Sequence, residues 1–365
     1  MDTQDNSKPI KADRYSRFGL TLMVTHGCNM RCSYCYNGPC YEKTMSIETG
    51  RKAIDRSVAS LRQSGRLELG FFGGEPLLES DLVLALIKHA RAQTQKNGLE
   101  LFLTVTTNGT VTRDKAWQIM MIPNLDLAVS IDGHPQTHDR NRLFSNGRGS
   151  CSEVLKTISR LIDAGKDLKA VTVVRPENER TLDDEILFLR SLGIRRIELS
   201  LDIWTQWDAK ARSYLEEMIG QCARLWIDGL PEFGLNWFDD KAAMLTRGVQ
   251  VKTCRCGFGK GDISVAPSGN LYPCERLIGD DKGPNTTRLD GDVFDGEDFL
   301  FGPGRDVRTA EPCLSCGIKE ACNTSCGCCN YVRSSDVGEP DNLLCMFNQW
   351  CLRETQSVLE NKIVS

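Results

Sequence analysis

The chain has 365 residues, 40% apolar and 26% charged, with a formal net charge of −4. These are ordinary values for a globular protein of two or three domains, and the mild acidity excludes a polyanion-binding surface, so nucleic acid is not an expected partner. The first residues lack the apolar core of a signal peptide and no apolar run is long enough to cross a bilayer, which predicts a cytoplasmic protein without membrane contact.

After an N-terminal tail (1–18), residues 19–205 alternate between strand and helix patterns. The runs Leu20–Val24, Leu67–Phe72, Leu101–Thr106, Leu125–Ile131, Ala170–Val174 and Arg196–Leu201 read as strands. Ile47, Ile54, Val58 and Leu61 share a helical face, with Ser46 as N-cap. Val154, Leu155, Ile158, Leu161 and Ile162 repeat that pattern, as do Leu182, Ile186, Leu187 and Leu189. Six β/α units predict an α/β fold, a partial (β/α)6 barrel open on one side. Ligands then belong beyond the carboxyl ends of the strands. Residues 206–250 read as a helical linker. From 251 to 365 the composition turns to Cys, Gly, Asp and Asn, and Gly279–Asp306 reads as a long loop rather than packed structure. A segment so poor in apolar residues needs staples.

Seventeen cysteines supply them. A reducing compartment disfavours disulfides, so clustered thiols there point to metal or redox chemistry. Cys28-x3-Cys32-x2-Cys35 follows the first strand. Three thiolates on one loop can hold three irons of a [4Fe–4S] cluster and leave the fourth open; zinc with Cys40 as fourth ligand is the competing reading. Gly73-Gly74-Glu75-Pro76 follows the second strand, where paired glycines let backbone carbonyls approach a ligand and a carboxylate suits an ammonium group; a plain turn is the alternative. In the C-terminal part come Cys256, Gly269 and Cys274, then Cys313-x2-Cys316-x5-Cys322-x3-Cys326, then Cys345. Zinc knuckles share the C-x2-C element.

With Tyr34 before its last cysteine, the Cys28 loop resembles the signature of the radical S-adenosylmethionine (SAM) superfamily, and Gly73-Gly74-Glu75 resembles its GGE motif. The later spacing is similar to the seven-cysteine SPASM pattern, so the resemblance runs from Leu20 to about Trp350. It implies a partial barrel followed by a cysteine-rich, iron–sulfur-stapled C-terminal SPASM domain, three [4Fe–4S] clusters, S-adenosyl-L-methionine, and a 5′-deoxyadenosyl radical that abstracts hydrogen. Cys28, Cys32 and Cys35 would hold the first cluster, with Tyr34, Gly73, Gly74, Glu75, Asn108 and Ser130 around the cosubstrate, while Asn29 and Arg31 shape the loop. Cys313, Cys316, Cys322 and Cys345 would hold the outer auxiliary cluster. Cys256, Cys274 and Cys326 would hold the inner one, with Cys254 as the eighth ligand; the Cys328–Cys329 pair could replace it or leave an open iron. Cys40, Cys151, Cys222 and Cys351 default to small buried apolar residues.

The run Asp132–Arg142 is similar to a segment of peptide- and sulfatase-modifying members, in which His138 and Asp139 either act directly or cap a loop. Sulfatase maturases carry Asp after the second SPASM cysteine; here Glu275 stands there, a candidate base with Arg276 as partner, or half of a surface ion pair. The resemblance implies an oxidoreductase acting on a precursor peptide or protein, a peptide maturase, served by a flavodoxin or ferredoxin electron donor. Too few residues precede strand one for a leader-binding domain, so a separate leader-binding protein or direct recognition is expected. The alternatives are an anaerobic sulfatase maturase forming formylglycine, a small-molecule dehydrogenase, and a non-catalytic zinc-stapled binding protein.

Overall fold

A computed structural model describes residues 13–38, 42–247, 257–282, 285–300, 311–322 and 326–364. The first half runs β1 (Tyr15–Thr25), α1 (Ile47–Ala59), β2 (Leu61–Gly73), α2 (Ser80–Lys96), β3 (Glu100–Thr107), α3 (Asp114–Met120) and β4 (Leu125–Ser130). It continues through α4 (Pro135–Asn141), α5 (Cys151–Asp163), β5 (Leu168–Val174), α6 (Leu182–Ser191) and β6 (Arg196–Leu201). The remainder comprises α7 (Ala209–Gly229), β7 (Gly234–Leu235), α8 (Asn236–Arg247), β8 (Asp262–Val265), β9 (Leu271–Tyr272), α9 (Glu311–Leu314), α10 (Gly327–Ser334) and α11 (Asn342–Val364).

Strands β1 to β6 lie side by side in chain order, all parallel, and the sheet does not close. This is the open, partial barrel that six β/α units demand. The sheet is wider than six strands, however. β7 adds to β6, and β8 pairs parallel with β1, Gly19 facing Asp262, with β9 antiparallel outside it. Arg17 fastens that join, donating to Asp262 at 2.7 Å and to Glu68 at 2.5 Å. The sheet thus continues into the segment after residue 251, and β1 starts at Tyr15, inside the expected tail.

Two local expectations change. Ser46 does cap α1, its hydroxyl accepting from Thr49 N at 3.0 Å, but Leu61 opens β2 instead of closing the helical face, and Ile47 is exposed. The segment 285–300 contains no helix or strand, yet it is packed. Leu289, Val293 and Phe299 are buried, and Phe299 stacks on Phe18 with ring centroids 5.6 Å apart. Arg56 of α1 straps it down, donating to the carbonyls of Asp292 at 2.8 Å, Val293 at 3.0 Å and Asp298 at 2.7 Å. Three well-spaced apolar residues do in this segment what a periodic stripe does in a helix.

Helix α11 returns to pack on α7 and α8, where Trp237 meets Phe347 edge-on at 5.0 Å and Cys222 and Cys351 are buried. Among the described residues no helix is long and apolar enough to cross a membrane.

Candidate active site

The loop after β1 brings Cys28, Cys32 and Cys35 to the carboxyl ends of the strands. Arg31 Nη1 donates to the carbonyls of Cys28 (2.9 Å) and Met30 (2.8 Å), and Met30 N–H donates to Cys28 Sγ at 3.4 Å. Asn108 Nδ2, at the end of β3, donates to Asn29 Oδ1 at 2.9 Å. Asn29 and Arg31 therefore shape the loop, as expected, and Asn108 helps to hold it. The glycine pair completes its seat. Gly74 N–H donates to Thr25 O and Glu75 N–H to Gly27 O, both at 2.9 Å. A Cβ on Gly74 would lie 2.3 Å from Gly27 O, so no other residue permits this approach.

These loops bound a cleft of about 350 Å³. Cys28, Cys32, Tyr34, Cys35, Gly73, Gly74, Asn108 and Ser130 all line it, and Glu275 and Arg276 reach it from the C-terminal half. Glu75 does not. Its carboxylate is wholly buried and accepts hydrogen bonds from Leu77 N (3.0 Å), Thr107 Oγ1 (2.8 Å) and Asn108 N (2.6 Å). Burial pushes its pKa up to about 7 against those donors. In this arrangement Glu75 ties the loops that follow β2 and β3 to each other.

Tyr34 hydrogen-bonds Asp132, and the Arg142 guanidinium grips the same carboxylate with Nε at 3.0 Å and Nη2 at 3.1 Å. Asp132 is fully buried and Arg142 nearly so, which fixes the Tyr34 ring against the cleft. His138 lies in α4, its Nδ1 accepting from Asp132 N (3.4 Å) and its Nε2 bonded to Ser150 Oγ (2.9 Å). Burial, with Arg142 beside it, lowers its pKa to about 4, so the ring is neutral. Asp139 Oδ1 accepts from Ser150 N and Cys151 N, both at 2.8 Å, and so caps α5. Of the two readings for this pair, the structure supports capping; neither residue lines the cleft.

Glu275 Oε2 stands 3.5 Å from Ser264 Oγ and accepts from Cys274 Sγ at 3.6 Å. Arg276 turns instead to Ser200 Oγ (3.3 Å) and Cys329 Sγ (3.6 Å). The surface-ion-pair alternative thus gives way to two residues separately engaged in the cleft wall. Sequence reasoning missed that wall's aromatic stack, in which Tyr36 lies between Phe72 (6.2 Å) and Trp204 (4.9 Å). An aromatic residue directly after Cys35 was the only local signal.

The thiols of Cys326, Cys328 and Cys329 lie within 4.8 Å of one another, Cys326 and Cys328 at 3.3 Å. Cys274 packs against them and contacts Cys328. Burial raises the Cys345 pKa, and the thiols of Cys322, Cys313 and Cys316 add to it, so they lie within electrostatic reach of Cys345. Cys151, Cys222 and Cys351 are buried in the apolar interior. Cys40, Cys254 and Cys256 lie outside the described residues.

Cys28, Cys32 and Cys35, three thiols on one loop at the cleft, fit the three-thiolate set of a [4Fe–4S] cluster.

Residues 22–189 match the family model of the Radical SAM superfamily. Over 351 residues the chain is 22% identical to the cysteine-type anaerobic sulfatase-maturating enzyme of Clostridium novyi, covering 89% of this chain and 91% of that one. It is 24% identical over 337 residues to the PqqA peptide cyclase of Bradyrhizobium diazoefficiens, covering 89% and 86%. Among solved structures it resembles anSMEcpe with bound AdoMet and a Kp18Cys peptide, at a TM-score of 0.76 and 18% identity, over 94% of this chain and 98% of that one.

Proposed function

We propose that this chain, whose residues 22–189 match the Radical SAM superfamily model, is a radical SAM enzyme that oxidises a peptide or protein substrate, as a maturase of a ribosomally made precursor. When bound, the [4Fe–4S] cluster and S-adenosyl-L-methionine supply a 5′-deoxyadenosyl radical that takes a hydrogen atom from the substrate. In this reading Cys28, Cys32 and Cys35 hold that cluster, and the carbonyls of Gly73 and Gly74, with Asn108 and Ser130, receive the cosubstrate. Tyr34, pinned by Asp132 and Arg142, fixes the loop between them. Glu275 takes the proton that leaves the oxidised substrate.

Two auxiliary clusters carry the second electron away. The outer one belongs to Cys313, Cys316, Cys322 and Cys345. The inner one belongs to Cys256, Cys274 and Cys326, completed by Cys254 or by the Cys328–Cys329 pair. A reduced flavodoxin or ferredoxin supplies the first electron, and a reducing cytoplasm suits so many thiols. The observation that carries the peptide reading is the shared cleft: Glu275 and Arg276, from the cysteine-rich half, line the cavity that holds the Cys28 loop. The chain's likeness to peptide-modifying enzymes over most of its length supports it. Anaerobic turnover of precursor peptides, read by mass spectrometry for loss of two hydrogens, tests it. Turnover of a small metabolite and of no peptide would overturn it.

A second reading, formylglycine formation on a sulfatase, is favoured by the Glu275 carboxylate in the cleft wall. Conversion of a Cys or Ser in a sulfatase-type peptide, lost in Glu275→Gln, separates the two.

A further inference from the structure

Lys241, on α8, is 2% exposed, yet its ammonium meets only neutral acceptors: Ala321 O at 3.2 Å and Asn348 Oδ1 at 3.1 Å. Among the described residues, the anionic forms that act on it are the thiolates of Cys351 and Cys322. Cys351 does not serve, because burial lifts its thiol to about 12 and keeps it neutral. A buried cation without a counter-charge is among the costliest arrangements in a folded protein. Cys322 follows the residue whose carbonyl Lys241 holds, and it is one of the four thiols assigned above to the outer auxiliary cluster. Four thiolates outweigh the positive charge of an iron–sulfur core, so the loaded site is an anion and becomes a stronger one on reduction.

We propose that Lys241 is the built-in counter-cation of the outer auxiliary cluster, stabilising its reduced state and so raising its potential to receive an electron. The assignment rests on the three-cluster reading. Lys241 spans two of the elements that frame the site, the turn before Cys322 and helix α11, which carries both Asn348 and Cys345. The same ammonium therefore positions two of the four ligand-bearing segments. The redox change is a one-electron uptake by the cluster from an external reductant, with no bond made or broken at Lys241.

The test is an EPR-monitored redox titration of the full, anaerobically reconstituted chain, with iron content measured alongside. The outer signal is identified as the one missing in Cys313→Ser. Lys241→Met should leave the outer cluster more oxidised at a fixed potential by tenfold or more, a midpoint drop of about 59 mV for a one-electron couple. Lys241→Arg should keep most of the wild-type midpoint. Loss of the outer cluster in Lys241→Met but not in Lys241→Arg supports the assignment as well, because charge is then what retains it. An unmoved midpoint at full iron content overturns it, as does equal loss of iron in both variants, which would reveal a packing role alone. If wild type and Cys313→Ser carry the same iron and the same signals, the outer cluster itself is absent. That result removes the three-cluster reading and the Lys241 assignment together.

Discussion

Gly74→Ala is the substitution that the site geometry judges most sharply. The added Cβ would lie 2.3 Å from Gly27 O and 2.7 Å from Gly27 C and His26 O, all backbone atoms that cannot rotate aside. Ordinary contact begins near 3.4 Å, so the stem of the Cys28 loop must retreat by about 1 Å. That retreat breaks the 2.9 Å hydrogen bonds from Gly74 N to Thr25 O and from Glu75 N to Gly27 O, which register the two loops. Misplacement of a reacting group by about 1 Å costs on the order of 100-fold in rate. Anaerobic incubation with dithionite and S-adenosyl-L-methionine, with 5′-deoxyadenosine quantified by chromatography, should show a loss of about that size. The strands below are untouched, so the variant should still fold. A Gly74→Ala protein with near-wild-type 5′-deoxyadenosine yield would refute the claim that this approach positions the cluster loop.

Three further outcomes follow from single contacts. Glu275→Gln should keep 5′-deoxyadenosine formation but lose peptide product, and equal loss of both would place Glu275 in the cosubstrate site instead. Asp139→Ala removes the acceptor that caps α5 and should cost about 1 kcal/mol in chemical denaturation, with 5′-deoxyadenosine yield unchanged; a collapse in yield at full stability would restore a direct role. Burial raises the Glu75 pKa to about 7 in the fold against an ordinary 4.5, so its contribution favours folding below pH 4.5 and fades as pH rises toward 7. Glu75→Gln should flatten that part of the stability–pH profile measured by thermal melting, whereas an unchanged slope would mean that the carboxylate is already ionised at low pH.

The six parallel strands and the Cys28 loop were legible because their signals are local: a short apolar run, a turn, a fixed cysteine spacing. What escaped depended on distant pairings. Nothing near Asp262 announces that it faces Gly19 across the sheet, more than two hundred residues away in sequence. Strands of two residues, such as β7 and β9, carry no periodicity at all. Leu61 fits the helical face of α1 by spacing, but the chain has already turned at Ser60 to enter β2. The site followed the same division. Its cysteines and glycines were named from the motif alone, whereas the direction of the Glu75 side chain was decided by donors on β3 that no motif mentions. The Asp132–Arg142 clamp on Tyr34 likewise joins residues whose partnership only folding reveals.

The claim on which the chemistry depends is a [4Fe–4S] cluster with three irons held by Cys28, Cys32 and Cys35 and the fourth left open for the cosubstrate. EPR spectra of dithionite-reduced, oxygen-free protein recorded with and without S-adenosyl-L-methionine address it directly. The expected result is a signal that changes on addition, accompanied by 5′-deoxyadenosine, with both effects absent in Cys32→Ala. A fully iron-loaded protein whose spectrum ignores S-adenosyl-L-methionine would contradict it.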